Sequence, residues 1–155
     1  MDVSVRLREI DEDNWMDVVF LSTEDEEMPR ICEKYVASNA LSIVQAVYEG
    51  TWNVRAVYCG KCPVGFAMFG YNKEHDLYEI CRLMIDRKHQ GKGFGQIALR
   101  LVIEEILSME ECEEIYLTTN PENVKAKRMY ERCGFVNTGK MLGQEELYCW
   151  SMEKY

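Results

Sequence analysis

The sequence predicts a single α/β domain, residues 1–155, in which one mixed sheet is flanked by helices. Three observations predict it. Segments with the two-residue period of a strand alternate with segments of helical period, in the order β-α-α-β-β-β-α-β-α-β-β. Of the 155 residues, 47% are hydrophobic and 29% charged, an ordinary globular composition and enough chain to bury a core without staples. No repeat, linker or low-complexity tract divides it.

Each element has a local reason. Val3, Val5 and Leu7 alternate with polar residues through Arg8, a strand pattern. Asp11 to Asn14 offers helix caps, and Trp15, Val18 and Val19 begin an amphipathic helix. Glu24 to Glu27 is an acidic loop before Pro29; it reads as a solvated turn or as one wall of a pocket for a cation. Ser38 and Asn39 cap the next helix, where Ala40, Ile43, Val44 and Val47 recur at helical spacing and Gly50 stops it. Val54–Tyr58 and Pro63–Tyr71 read as a hairpin around Cys59-Gly60-Lys61-Cys62. A structural zinc would need two further close ligands, which the sequence lacks, and the Gly-Lys turn explains the cysteine spacing.

The stretch 77–100 organises the rest. Leu77–Ile85 is a run of β-formers, Arg87 to Gly95 is basic and glycine-rich, and Phe94, Ile97, Ala98, Leu101, Val102 and Ile106 share one face of a helix. A helix N-terminus presents unpaired N–H groups to an anion. Gly91, Gly93 and Gly95 let a ligand approach the backbone, and Arg87, Lys88, His89 and Lys92 add local positive charge. After the acidic loop Glu110–Glu114 come a strand, Ile115–Thr119, and a helix opened by Asn120-Pro121-Glu122-Asn123. Asn123, Ala126, Lys127 and Tyr130 fall on one face of it and Gly134 stops it. Val136–Met141 and Glu146–Met152 form a last hairpin through Gly143.

Several classes of function are set aside at this level. No apolar run approaches the ~18 to 20 residues of a membrane span, and the N-terminus lacks the flank and core of a signal peptide. Seven scattered cysteines suit reduced thiols, so a cytoplasmic location is expected. The net charge of −9 argues against nucleic acid and is compatible with a cationic substrate. Neither the P-loop nor the dinucleotide fingerprint has the spacing found here.

What fits is Gln90-Gly91-Lys92-Gly93-Phe94-Gly95, which resembles the Gln/Arg-x-x-Gly-x-Gly/Ala signature of the GNAT superfamily of N-acetyltransferases. Asn120-x-x-Asn123-x-x-Ala126-x-x-x-Tyr130-Glu131-Arg132-Cys133-Gly134-Phe135 resembles the second signature of that superfamily, in the expected order and context. Tyr35–Ala46, Val64–Gly70 and Arg82–Asp86 look like the bacterial diamine and spermine/spermidine acetyltransferases. The resemblance implies a GNAT fold with a mostly antiparallel sheet and acetyl-CoA as co-substrate. It implies that the backbone of Leu83, Met84 and Ile85 pairs with the pantetheine arm and that Gln90, Gly91, Lys92, Gly93, Phe94 and Gly95 hold the pyrophosphate. It places Asn120, Asn123 and Ala126 on the cofactor side and makes Tyr130 the proton donor to the CoA sulfur.

The expected activity is acetyl transfer to a primary amine by direct attack, with a polyamine or diamine as the favoured small-molecule acceptor. Alternatives are a protein N-terminus, an aminoglycoside, or a silent CoA-binding module. Glu79, six residues before Ile85, shares its face by period two unless a bulge intervenes; it is a candidate base, a holder of a second cationic nitrogen, or a plain surface carboxylate. His75 and His89 are weaker candidates. The superfamily often dimerises, which makes a homodimer an open expectation, and nothing implies a membrane, a nucleic acid or a metal.

Overall fold

A computed structural model describes residues 4–23 and 38–154. The acidic loop Glu24–Glu27, Val3, and Tyr35–Ala37 of the quoted resemblance lie outside the described residues. Seven strands form one sheet in the order β1-β2-β3-β4-β5-β7-β6. The strands are β1 Val5–Glu9, β2 Trp52–Cys59, β3 Cys62–Asn72, β4 Leu77–Ile85, β5 Glu114–Thr119, β6 Val136–Leu142 and β7 Glu145–Ser151. The helices are α1 Trp15–Val19, α2 Asn39–Glu49, α3 Phe94–Met109 and α4 Val124–Arg132. Every pairing is antiparallel except β4 with β5. The expected element order and the mixed, mostly antiparallel sheet are both present.

The sheet carries a core on each face. Leu99, Val102, Ile103 and Ile106 of α3 pack with Ile80, Ile115, Leu117, Tyr148 and Trp150, and Cys133 and Phe135 after α4 join them. On the other face Val18 of α1 and Ala46 of α2 pack with Ala56, Phe66 and Met68. Burying an aliphatic side chain of this kind contributes about 1.5–3 kcal/mol, so these two layers hold the sheet between α3/α4 and α1/α2.

Local chemistry sets the ends of the helices. The Ser38 hydroxyl accepts from the Leu41 N–H at 3.1 Å, and Gly50 closes α2 at φ 72°. Asn14 does not cap α1. Its side chain is buried, accepting from the Asp11 N–H and donating to the Glu9 carbonyl, both at 2.9 Å, and so ties β1 to the helix. Asn120 folds a turn on itself, its side chain accepting from the Glu122 N–H, and α4 starts only at Val124.

Two sequence expectations need correction. On α3 the buried stripe is Phe94, Ala98, Leu99, Val102, Ile103 and Ile106, whereas Ile97 is 42% exposed and Leu101 only half-buried. This helix is apolar around most of its girth, so packing against the sheet, not periodicity, chooses the buried third. On β4 a bulge does intervene. Met68 pairs with Arg82 and Phe69 with Ile80, which leaves Cys81 as an extra residue. Ile80 and Tyr78 face α3, Cys81 and Met84 face α1/α2, and Leu83 and Ile85 face α3 again. Glu79 therefore lies on the face opposite Ile85.

Candidate active site

Strands β4 and β5 meet at a single parallel pairing, Glu79 with Tyr116. Beyond it they part, and the C-terminal half of β4 has no strand beside it on the β5 side. The Asp86 N–H donates to Val64 on β3 at 2.8 Å. Backbone direction alternates along a strand, so Leu83 and Ile85 turn their amide groups toward the gap. Met84 turns toward β3, where its carbonyl crowds Gly65. Of the three residues expected to meet a pantetheine arm, two border the gap and Met84 does not. Gln90 helps to shape this edge: its side-chain amide folds back and donates to the Ile85 carbonyl at 3.0 Å.

The glycine loop follows directly. Arg87–His89 make one 3-10 turn, capped by Asp86, whose carboxylate accepts from the Lys88 N–H at 3.1 Å. Its other oxygen accepts from the Ser22 N–H at 3.0 Å, which fastens the chain after α1 to the end of β4. Gly91 and Gly93 stand at φ 77° and 82°, and a Cβ on either would meet no atom within 4 Å. They serve a backbone shape that encloses open space. Gly93 is the N-cap of α3 and has no side chain with which to cap it, so the first N–H groups of a sixteen-residue helix point outward. Arg87, Lys88 and Lys92 are exposed around them. This is an anion cradle. Gly95 differs: a Cβ there would lie 3.1 Å from Met129 Sδ, so its absence lets α3 approach α4.

Tyr130 lies on the inward side of α4, packed against the core under α3. Its ring packs against Phe135 and Tyr148 at centroid distances of 6.3 and 6.2 Å. Burial raises the phenol above its ordinary pKa, the Glu145 carboxylate raises it further, and the nearby Thr119 hydroxyl lowers it. Thr119 is itself buried. Ala126, Lys127 and Tyr130 share the inward side of α4, as their spacing requires, and Met129 joins them. Lys127 is held by Glu146 at 2.9 Å. Asn123 caps the helix, its side-chain oxygen accepting from the Ala126 N–H at 3.3 Å, while Asn120 is exposed in the turn before it.

On the other face stands Glu79, half-buried, its carboxylate accepting from the Asn72 amide at 2.6 Å. Cys81, beside it, lies in the field of the Arg82 guanidinium, 2.9 Å from its sulfur, and of three carboxylates: Glu79, Glu49 at the end of α2, and Glu145 at the start of β7. His75 and His89 do not join this group: His75 is in the β3–β4 turn, and His89 Nε2 lies 4.0 Å from Cys62. Sequence reasoning missed Thr119, Glu145 and the Asp86–Ser22 clamp. Thr119 adjoins the second motif and could have been suspected, whereas Glu145 arrives through sheet pairing alone. Two surface clefts, about 320 and 550 Å³, lie near the start of β4, around Trp52, Tyr71 and Tyr78 and around Asp76 and Tyr116. Neither is lined by Tyr130 or by the glycine loop.

A glycine loop leading into a helix N-terminus, an adjoining strand edge and a half-buried phenol on the neighbouring helix are the parts that a transferase for a long phosphorylated donor would need. The chain belongs to the acetyltransferase (GNAT) family, whose pattern matches residues 6–135. It is an N-acetyltransferase with acetyl-CoA as co-substrate, and the cradle and open edge fit a linear donor of that kind. It is 26% identical to the spermine/spermidine N(1)-acetyltransferase of Bacillus subtilis strain 168, over 90% of this chain and 92% of that protein. The spermidine N-acetyltransferase of Vibrio cholerae, solved with CoA and spermine, has the same fold at a TM-score of 0.72 and 20% identity, covering 97% of each chain. An aminoglycoside acetyltransferase, AAC(6')-Ib, solved with coenzyme A, superimposes at 0.75 with 19% identity over 97% of this chain and 96% of that one. Among the described residues no helix is long and apolar enough to cross a membrane.

Proposed function

We propose that the acceptor is a polyamine or diamine, with spermine or spermidine the favoured substrates, and that one of its primary amines attacks the thioester carbonyl directly. The observation that carries this reading is the gap between β4 and β5, with a half-buried phenol on one face and, on the other, Cys81 in the field of Arg82 and of the carboxylates Glu79, Glu49 and Glu145. Carboxylates from three elements suit an acceptor that carries several positive charges. The polyamine acetyltransferases among the relatives support the same choice.

In this reading Leu83 and Ile85 offer backbone amides to the pantetheine arm, and the loop Gln90–Gly95 with Lys92 and the start of α3 takes the pyrophosphate. Asn123, whose oxygen already caps α4, meets the donor through its amide nitrogen. Glu79 holds a cationic nitrogen of the acceptor. Tyr130 gives its proton to the departing sulfur. A free thiol titrates near 8.5 and a phenol near 10, so this transfer is uphill. The proton that the nitrogen sheds as the amide forms completes it.

The test is steady-state CoA release from acetyl-CoA against spermine, spermidine, putrescine, an aminoglycoside and a short peptide. A kcat/KM at least about tenfold higher for spermine or spermidine is expected, a preference of ~1.4 kcal/mol. Preference for the aminoglycoside or the peptide would overturn the substrate assignment. Absence of turnover on every amine, with acetyl-CoA still binding, would point to a silent module. Tyr130→Phe should lower kcat by about 10²-fold or more while leaving acetyl-CoA affinity unchanged, and full turnover in that variant would remove Tyr130 from the mechanism.

A further inference from the structure

We propose that the cleft at the C-terminal end of α3 is a second binding site, one for a compact organic ammonium ion, separate from the donor and acceptor positions on β4. The inference rests neither on Tyr130 as the acid nor on the polyamine assignment.

Asn53, Phe69, Tyr71, Tyr78, Met109 and Glu110 line a space of about 320 Å³. That is the lower end of the ~300–1,000 Å³ of small-molecule sites, which limits the occupant to a small one. Tyr71 on β3 and Tyr78 on β4 are cross-strand partners, and their rings meet edge to face at a centroid distance of 5.3 Å. Each phenol donates to a carboxylate, Tyr71 to Asp76 and Tyr78 to Glu110 Oε2 at 3.4 Å, which pins the rings. Phe69, 1% exposed, lies at the base. A Cβ on Gly70 would collide with the Thr51 carbonyl, so glycine there lets residues 50–51 fold over the end of β3 as a further wall.

Three features of this cleft favour a cation. Aromatic rings attract positive charge through their negative faces. Glu110 brings a carboxylate to the rim. The last turn of α3 holds no basic residue, so nothing on the helix balances the negative end of its dipole. No lysine, arginine or histidine is among the described residues that line the space. The same core already seats one cation on a ring: the Arg55 guanidinium lies 5.8 Å from the Phe69 centroid and is held by Glu105 at 2.6 Å. A metal ion is a poorer fit, because among the described residues no three His, Cys, Asp or Glu side chains converge to hold one. An organic cation can also bury its carbon against Met109 and the rings.

The cleft is separated from the chemistry by the fold itself. The glycine loop lies at the other end of α3, sixteen residues or about 24 Å along the helix. Tyr78 faces α3, and Glu79, the next residue on the strand, faces the opposite side of the sheet.

Choline is the probe, because its quaternary nitrogen has no proton to exchange for an acetyl group. It is titrated into protein carrying ring-labelled tyrosine and followed by NMR, with Tyr71→Phe and Tyr78→Phe assigning the two signals. Saturable shifts of both rings are expected. The neutral carbon isostere, in which a tert-butyl group replaces the trimethylammonium, should bind about fivefold more weakly or worse. Glu110→Gln, an exposed substitution, should weaken choline about threefold. Tyr78→Leu should weaken it further, with urea unfolding checking that the variant is folded, whereas Tyr78→Phe keeps the ring and should bind within about twofold of the parent. Glu79→Gln should leave choline affinity unchanged. Rings that do not shift, equal binding of the neutral isostere, or an affinity that falls in Glu79→Gln and holds in Glu110→Gln would each overturn the proposal, the last by placing choline on the acceptor side.

Discussion

Replacing Gly65 by alanine tests whether the edge of the gap is set by the packing of β3 against β4. The new Cβ would run into the Met84 carbonyl oxygen, lie 2.8 Å from Ile85 Cδ1 and lie 3.3 Å from Val57 Cβ. The first neighbour is backbone inside a sheet and has no rotamer to adopt, so the strands must separate. Overpacking of this kind costs about 1–3 kcal/mol. Alanine returns roughly 0.4–1 kcal/mol by stiffening the unfolded chain, which leaves a net loss of about 1–2 kcal/mol. Urea denaturation should show a lower midpoint at an unchanged slope. Displacing Met84 also moves Leu83 and Ile85, so acetyl-CoA binding by calorimetry should weaken several-fold. A loss of less than ~0.5 kcal/mol, within the range of an ordinary surface substitution, together with unchanged acetyl-CoA affinity would refute the argument.

Three other outcomes are expected. Gly93→Ala should lose about 1 kcal/mol from its left-handed backbone while its Cβ meets nothing, and acetyl-CoA affinity measured by calorimetry should fall further than stability does. Asn39→Ala should lose about 1–3 kcal/mol in thermal or urea unfolding, because the buried amide donates to the Val18 carbonyl at 2.8 Å and joins α2 to α1. Burial pushes the Cys81 thiol up to about 11 from 9.0. Its native form therefore holds the proton more tightly than the unfolded chain, and the stability this contributes is complete below pH 9 and disappears as pH rises through about 11. Two units correspond to ~2–3 kcal/mol, so unfolding followed from pH 8 to 11 should slope less steeply in Cys81→Ala, and an equal slope would contradict the shift.

Much of this was legible in the chain. The run of β-formers in Leu77–Ile85, the stops at Gly50 and Gly134 and the cap at Ser38 are local signals, and local signals fix local structure. The two glycine-containing motifs were legible for the same reason: a positive φ leaves a mark in the sequence. What was not legible came from elsewhere in space. Nothing in Glu79-Ile80-Cys81-Arg82 announces a bulge, because the extra residue is defined by the pairing of β3. The buried stripe of α3 was misplaced because its apolar residues nearly encircle it and only the sheet decides among them. Glu145 meets Thr118 through β5–β7 pairing, across more than two dozen intervening residues. The fold of the Gln90 side chain back onto the Ile85 carbonyl likewise left no mark in the sequence.

The bulge at Cys81 has a consequence for how this enzyme can vary. A regular β4 would keep pace with β5 and continue its ladder past Glu79 and Tyr116, filling the space with backbone hydrogen bonds. The one surplus residue adds twist and turns the strand aside. The opening is thus written into the length of the chain rather than into the chemistry of any side chain. Position 81 can change identity and leave the opening intact, but losing the position would zip the two strands together and seal the molecule against its donor.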